Sequence, residues 1–452
     1  MESLVSTVRS FYQTHQAETS KPLNYQEIIS NFNANTTFQN ETADNLLNNL
    51  VPLFPVPEFT LATITILNNI IGKVQSKVRN LNEIEAVSNL TGINEQKLMS
   101  ELENCLKNSD HKQIEYSGDM FADLCHFYTN KLIHLNQAKK GLLTINESIR
   151  KLQYDSHNAK FNTNQMTTVH SDLLKLSLSS KNFTLALKLM SNEILDIKKT
   201  SCSTFDAKYY LSYFYYCGCV SASLKHFEDS LFYFEQVLNV PANALSQIMI
   251  DSYKKYVLIS LIYKGKVLAL PKYTSRKVVN QIKPMCSVYH ELASAFIDYE
   301  LDKLNSLCQK YEEMFERDRN NGLIKQLQNA FYKLNIQKLT KTFITLSLSD
   351  IVAKTRLNST SHAETLILNM IRDGEVFATI NQKDGMVSFH DNPEKYDNPS
   401  LTNQLTGEIF GCIDMENNIK QMENEISTHP HYIQKCQANA GTGIDEIDQL
   451  LQ

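Results

Sequence analysis

Two short motifs in the sequence carry side chains that bind metals or act as nucleophiles. His429-Pro-His431 places two imidazoles on alternate residues, the spacing with which zinc isopeptidases begin their metal site. Those enzymes complete the site with a serine and an aspartate, but the segment HPHYIQKCQANAGTGID contains no serine. Cys217-Gly-Cys219 lies in an apolar run that predicts a helix, where buried structural cysteine is commoner than metal ligation. We therefore expect a surface loop at the first motif and core packing at the second.

Longer catalytic motifs are absent from the sequence. It contains no HExxH zinc motif, no P-loop, no dinucleotide fingerprint and no nucleophile elbow. The nine cysteines are scattered and odd in number, which is typical of a reducing compartment rather than of a disulfide framework. We predict that the chain is not an enzyme and that it binds neither a cofactor nor a metal.

The composition is that of an ordinary soluble globular protein. The 452 residues are 42% hydrophobic and 21% charged, with a net charge of −5. Such a small charge gives no argument for nucleic acid or for a membrane surface as a partner. The longest apolar-rich run, 59–74, is interrupted by Thr and Asn and is too short to span a bilayer, so it predicts a buried helix.

Most of the chain carries the i, i+3, i+4 apolar spacing of helices, and one helical segment is repeated. KNFTLALKLMSNEIL (181–195) aligns with KHFEDSLFYFEQVLN (225–239) at an offset of 44. Each copy follows another apolar helix, and the small residues Ala186 and Ser230 would let paired helices approach closely. Repeated helix pairs at this period are typical of tetratricopeptide-type solenoids.

The pattern changes after the helical array. FITLSL (343–348) predicts a short strand, and 347–357 and 361–374 predict helices, the second opened by a capping box at Ser361-x-x-Glu364. The segment 373–393 alternates apolar and polar residues around Asp384-Gly385, which predicts a hairpin. A strand, two helices and a hairpin in this order predict a winged helix.

A two-residue turn at Asp384-Gly385 would fix the register of the hairpin. Ile380 would pair with Phe389, and Gln382 with Val387. One face of the ribbon would then be apolar, with Val376, Ala378, Ile380, Val387 and Phe389. Because a lone hairpin is marginal in water, this face must lie on the helices.

Two apolar residues stand out on the other face of the ribbon, which is polar. These are Phe377 and Met386. In one interpretation, loops or the next helix cover them. In the other they contact another subunit, since aromatic and Met side chains are enriched at interfaces.

A helical-repeat array that leads into a winged helix, with RDGEVFATINQKDGMVSF at the wing, resembles the PCI-domain family. This family supplies subunits of the proteasome lid, the COP-nine signalosome and translation initiation factor three. The resemblance to signalosome subunits is closest in SYKKYVLISLIYKGKVLALPKYTS (252–275), QIKPMCSVYHELASAF (281–296), LTKTFITLSLSDI (339–351) and INQKDGMVSFHDNPEKY (380–396). It implies a mainly α fold: a right-handed, tetratricopeptide-like helical-repeat solenoid, a winged helix and a long C-terminal helix.

On this basis we expect five regions along the chain. They are an N-terminal helical segment (1–160), a helical-repeat solenoid that includes the helical part of the PCI domain (161–340), a winged helix (341–392), a C-terminal bundle helix (401–427) and a mobile tail (428–452).

The predicted C-terminal helix carries one apolar stripe. Its members are Leu401, Leu405, Ile409, Cys412, Ile413, Ile419, Met422 and Ile426. The helix could fold back on its own domain. The resemblance implies instead that it joins a bundle of C-terminal helices from all subunits. Its partner-binding residues would then be Leu405, Ile409, Cys412, Ile419, Met422 and Ile426.

The resemblance also implies a function. It predicts a non-catalytic scaffold subunit of the signalosome, the complex that removes NEDD8 from the cullins of cullin-RING ubiquitin ligases, in cytoplasm and nucleus. Its partners would be the other PCI and MPN subunits and, indirectly, the ligases. A PCI subunit of the proteasome lid is an alternative. A nucleic-acid-binding winged-helix protein is another, but the predicted recognition helix, HAETLILNMIRD, offers one Arg and two carboxylates where several cations are needed.

Overall fold

The computed structural model describes residues 6, 38, 41–79, 94–155, 160–192, 194–197, 206–242, 244–357, 359–391 and 399–435. The start of the predicted N-terminal segment and the end of the predicted tail lie outside these residues. The described chain is mainly helical and divides into two compact units, Met1–Leu334 and Asn335–Gln452.

The first unit is built almost entirely from helices. From residue 41 onward its first elements are the short helices Ala43–Asn45 (α1), Leu46–Leu50 and Val51–Leu53, and a further short helix lies at Glu115–Ser117. The remaining helices are Thr60–Arg79 (α2), Glu95–Asn108 (α3), His111–Ile114 (α4), Gly118–His134 (α5), Ala138–Leu152 (α6), His170–Ser180 (α7), Thr184–Met190 (α8), Ala207–Ser223 (α9), Phe227–Asn239 (α10), Gln247–Lys264 (α11), Arg276–Met285 (α12), Ser287–Ile297 (α13), Leu301–Lys310 (α14), Glu312–Arg317 (α15) and Asn321–Thr342 (α16), which continues into the second unit.

Two pairs of two-residue strands lie between these helices. Tyr154–Asp155 (β1) pairs antiparallel with Lys160–Phe161 (β2). Gln165–Met166 (β3) pairs parallel with Asp196–Ile197 (β4).

Helix α2 is the apolar-rich run that the sequence predicts to be buried, and the prediction is confirmed. Leu61, Ile64 and Ile70 are fully buried in it. Its threonines do not interrupt the core, because Thr63 Oγ1 donates to the carbonyl oxygen of Phe54 at 2.9 Å. No helix in the described part of the chain combines the length and the apolarity needed to cross a bilayer.

The two aligned segments form the second helices of two helical hairpins. Lys181, between α7 and α8, and Lys225, between α9 and α10, hold the same left-handed conformation, with φ of 55° and 65°. The next backbone N–H closes each turn. The N–H of Asn182 donates to the carbonyl oxygen of Ser177 at 3.1 Å, and the N–H of His226 donates to the carbonyl oxygen of Ser221 at 3.0 Å. Left-handed residues with this hydrogen bond are a standard helix end. The predicted repeat is therefore present in the structure.

A third copy of this hairpin precedes the other two. Helices α5 and α6 meet at Asn136, whose φ is 54°, and the N–H of Gln137 donates to Leu132 at 2.9 Å. A buried small residue occupies the same position in all three second helices: Gly141, Ala186 and Ser230. The repeat thus extends into the region that the sequence assigns to a separate N-terminal segment, 1–160.

The second unit contains the predicted winged helix. After the end of α16 come Thr345–Ser347 (β5), Leu348–Thr355 (α17), Thr360–Arg372 (α18), Ala378–Asn381 (β6), Met386–Phe389 (β7) and Pro399–Thr428 (α19). The sheet order is β5-β7-β6, and both pairings are antiparallel. The core of this unit contains Ile336, Leu346, Ile351, Ile367, Met370, Val376, Val387 and Phe389. The apolar face of the ribbon therefore covers the helices, as predicted.

The predicted hairpin register is wrong by two residues. Ile380 pairs with Val387 and Ala378 with Phe389, so the connection is a four-residue turn, Gln382–Gly385. The Asn381 side chain accounts for the longer turn: its Oδ1 accepts from the N–H of Lys383 at 3.2 Å, and its Nδ2 donates to the carboxylate of Asp384 at 2.6 Å. Because side chains alternate with period two, an even shift leaves both faces of the ribbon unchanged.

The predicted capping box of α18 is also wrong. Ser359 is the N-cap, and its side chain accepts from the backbone N–H of His362 at 3.2 Å. Glu364 instead accepts a hydrogen bond from the amide of Gln382, which ties the helix to the turn of the wing. The helix ends as predicted, before Gly374, whose φ is 74°.

Candidate interaction surfaces

The wing presents its polar face away from the core of the second unit. Strand β7 is central in the sheet, and Met386 pairs with Asn381 on one side and with Ser347 on the other. Its side chain is 37% exposed, whereas Phe377 is half-buried. The row formed by Thr345, Ser388 and Thr379 separates the two apolar residues on this face. They share a face, as predicted, but they do not form one continuous patch.

Two exposed apolar residues of the winged helix are absent from the predicted site. Ile344, directly before β5, is 80% exposed, and Leu368 projects from α18. The sequence contains no signal for Ile344, because it alternates with Leu346, which is buried. Leu368 directly follows Ile367, and neighbouring residues cannot face the same side of a helix.

The outward face of α18 carries little positive charge. Its exposed residues include Thr365, Leu368 and Asn369. Arg372, at the end of the helix, lies 3.5 Å from the carboxylate of Asp373. A surface with so few cations provides little attraction for phosphate groups.

Helix α19 carries many exposed apolar residues. It runs from Pro399 to Thr428 over 30 residues, and none of them is buried. All six residues predicted to bind partners lie on it and are exposed: Leu405, Ile409, Cys412, Ile419, Met422 and Ile426. Three more exposed apolar residues, Phe410, Ile413 and Met415, are not among these six.

Helix α19 also carries an excess of negative charge. Its acidic residues outnumber its one basic residue, Lys420, and are Glu408, Asp414, Glu416, Glu423 and Glu425. Lys420 lies 2.7 Å from Glu416, one turn away on the same helix. A partner surface with surplus Lys or Arg would complement this charge.

In the described residues, neither of the two motifs with metal-binding side chains is part of a larger cluster of potential metal ligands. The rings of His429 and His431 stack 5.5 Å apart, and both residues are exposed. The predicted surface loop is wrong in part, because Pro430 and His431 begin a helical stretch. Within the described ranges, no group of three or more His, Cys, Asp or Glu residues could hold a metal ion.

Cys217 and Cys219 lie on α9, as the sequence predicts. Burial raises the pKa of both thiols, that of Cys219 to about 11. Thiols with raised pKa are protonated at neutral pH and unreactive. Gly218 lets Phe234 of α10 pack directly against the helix backbone.

The first unit contains a buried polar network of Lys, Asp, Tyr and Asn side chains. Lys254 Nζ lies 2.8 Å from one oxygen of Asp318, and Tyr289 donates to the other at 2.7 Å. Asn320 donates to the Tyr289 hydroxyl at 2.9 Å and accepts from Lys255. The network ties the turn between α15 and α16 to α11 and α13.

A helical-repeat array that leads into a winged helix defines the chain as a PCI-domain protein. The PCI domain model matches residues 308–391, and the model described as COP9 signalosome complex subunit 3, N-terminal helical repeats, matches residues 22–279. The chain belongs to the COP9 signalosome complex subunit 3 family.

Two curated relatives agree with this assignment. COP9 signalosome complex subunit 3 of Drosophila melanogaster is 38% identical over 354 residues, which cover 75% of this chain and 78% of the relative. The protein of the same name from Dictyostelium discoideum is 33% identical over 380 residues, which cover 83% of this chain and 89% of the relative. The predicted resemblance to the signalosome's PCI subunits is therefore confirmed.

Proposed function

We propose that the chain is a non-catalytic scaffold subunit of the COP9 signalosome, present in cytoplasm and nucleus. In this proposal another subunit removes NEDD8 from cullins, and this chain holds its neighbours in place. Its family membership and the absence of a recognisable catalytic motif support the assignment. Its direct partners are other PCI and MPN subunits, and cullin-RING ligases meet it through the complex.

One observation carries the proposal: helix α19 exposes its large apolar residues from Leu405 to Ile426. Water-exposed apolar patches of this extent are rare on monomeric proteins and mark interaction sites. Covering one Leu, Ile or Met side chain stabilises a complex by about 1.5–3 kcal/mol before the cost of association is subtracted. The helix therefore joins the C-terminal helices of neighbouring subunits in a common bundle.

The wing supplies a second contact in this proposal. Phe377 and Met386 meet a neighbouring PCI subunit, and the exposed side chain of Met386 on the central strand supports that role. The row of Ser and Thr hydroxyls between these two residues provides hydrogen-bonding groups at the same surface.

Truncation after Ser400 tests the bundle. The truncated chain should keep the melting temperature of the full chain, because no residue of α19 is buried, yet it should be lost from the complex purified from cells. The double variant Ile409→Asp, Ile419→Asp should behave in the same way. Its matched control is Asn417→Asp, Asn424→Asp, which adds the same charge at exposed polar positions of the same helix.

Two results would contradict the proposal. One is incorporation of the truncated chain at normal stoichiometry. The other is cleavage of a neddylated cullin by the purified chain alone, which would make the chain an enzyme. A fall in melting temperature on truncation would instead favour the interpretation in which α19 packs on its own domain.

A further inference from the structure

Helix α19 has a seven-residue pattern that is more regular than its apolar stripe. One set of positions recurs every seventh residue: Leu405, Cys412, Ile419 and Ile426. A second set lies four residues before each of these: Leu401, Glu408, Met415 and Met422. Together they form the two core positions of a heptad, which we call the seam. Glu408 is its one charged member.

The first half of the helix is also apolar away from the seam. Ile409, Phe410 and Ile413 all lie off the seam, and Phe410 is 61% exposed. At about 3.5 residues per turn, Phe410 points about 150° away from Leu405, on the opposite side of the helix. A helix that is apolar on most sides is a buried helix.

The second half of the helix does not repeat this feature. Seven residues after Ile409, Phe410 and Ile413, the side chains are Glu416, Asn417 and Lys420. All three are exposed and polar, and Glu416 and Lys420 form an ion pair at 2.7 Å. This half of the helix is therefore apolar along the seam and hydrophilic elsewhere.

We propose that residues 405–415 are enclosed by partner helices on two opposite sides, whereas residues 416–428 meet a partner along the seam alone. This inference rests on the proposed function and adds where α19 sits in the bundle. The occupants are α-helices of other subunits with apolar contact faces and basic flanks. The acidic excess of α19 supports that chemistry. A second copy of this chain fits poorly, because each of the two helices would bring five carboxylates and only one Lys to the contact.

Single substitutions in the full chain, expressed with a tag in cells, distinguish the two sides. Phe410→Asp places a charge opposite the seam in the first half, and Asn417→Asp places one at the equivalent position of the second half. Ile419→Asp places one in the seam. We expect Phe410→Asp and Ile419→Asp each to lower recovery of the tagged chain in the complex at least about tenfold, since a buried unpaired charge costs well over 1.4 kcal/mol. Asn417→Asp should change recovery less than about twofold.

The outcomes separate this inference from the proposed function. Normal incorporation of Phe410→Asp together with loss of Ile419→Asp would overturn the two-sided enclosure and leave the bundle in place. Normal incorporation of all three variants would overturn both. A dimer of the purified chain, seen by light scattering and broken by Phe410→Asp, would make the occupant a second copy and overturn the inference. Equal circular dichroism and melting of the isolated variants is the control for folding.

Discussion

Ser230 donates a hydrogen bond from its Oγ to the carbonyl oxygen of Gly218 at 2.8 Å and so ties α10 to α9. Both residues are small and buried, and a Cβ on Gly218 would lie 2.8 Å from the ring of Phe234. The repeat therefore depends on close helix approach at this point as well as on apolar area.

Gly218→Ala should lower the free energy of unfolding of the first unit. Overpacking costs about 1–3 kcal/mol, which exceeds the gain of about 1 kcal/mol in helix propensity. Gly72 is the matched control, because it lies in α2 and a Cβ added there would meet nothing within 4 Å. Gly72→Ala should raise stability by about 0.5–1 kcal/mol. Urea denaturation measures both, and a stabilised Gly218→Ala variant would contradict the close approach.

His170 should make the stability of the first unit depend on pH. Burial lowers its pKa to about 4, and its Nδ1 accepts the backbone N–H of Thr167 at 3.0 Å. Between about pH 6.5 and pH 4 the unfolded chain binds a proton that the folded chain does not, so stability falls as the pH is lowered. The fall should be about 2 kcal/mol between pH 7 and pH 5.

His170→Asn tests this assignment, because Asn keeps an acceptor near the position of Nδ1 but does not titrate. The urea midpoint of this variant should change less than that of the unmodified chain between pH 7 and pH 5. Equal pH dependence in the two proteins would mean that other groups are responsible.

The buried and exposed faces of the wing should respond differently when an aspartate is introduced. Val387→Asp should unfold the second unit, since Val387 is fully buried in its core, at a cost of several kcal/mol. Met386→Asp, one residue away on the same strand, should change stability by about 0.5 kcal/mol but weaken association with a neighbouring PCI subunit. Phe377→Asp should also weaken this association, with a moderate loss of stability because the ring is half-buried.

Thermal melts measure the stability of these wing variants, and co-purification measures their association. Similar melting of the Met386 and Val387 variants would contradict the faces assigned here.

Cys412 provides a direct probe of the seam. It is exposed, whereas Cys105, Cys125, Cys217 and Cys286 are buried. In a Cys202→Ser, Cys436→Ser background, which leaves only cysteines that the structure describes, a maleimide should label Cys412 first in the isolated chain. In the purified complex its labelling should slow at least about tenfold, because thiol reactivity depends on access. Peptide mass spectrometry measures both rates, and equal rates would place Cys412 outside any contact.

The sequence by itself determined the hydrophobic period of each segment and, with it, whether the segment is a helix or a strand. Helical spacing, the alternation around the wing and the offset of 44 residues between two second helices all follow from local patterns. They were sufficient for a helical-repeat array followed by a winged helix. Local pattern also placed Phe377 and Met386 on one face, and an even shift in register could not change that.

Tertiary structure decided the features that depend on distant partners. The third repeat copy is recognisable by the left-handed Asn136 and buried Gly141, because its residues share backbone geometry and size rather than identity. Strand β5 makes β7 central through pairing some 40 residues apart in sequence, which no local pattern encodes. The hairpin register followed the side-chain bonds of Asn381 rather than the favoured two-residue turn. The sequence could set the hydrophobic period of each helix or strand. The other elements that it packs against were fixed by contacts that exist only after folding.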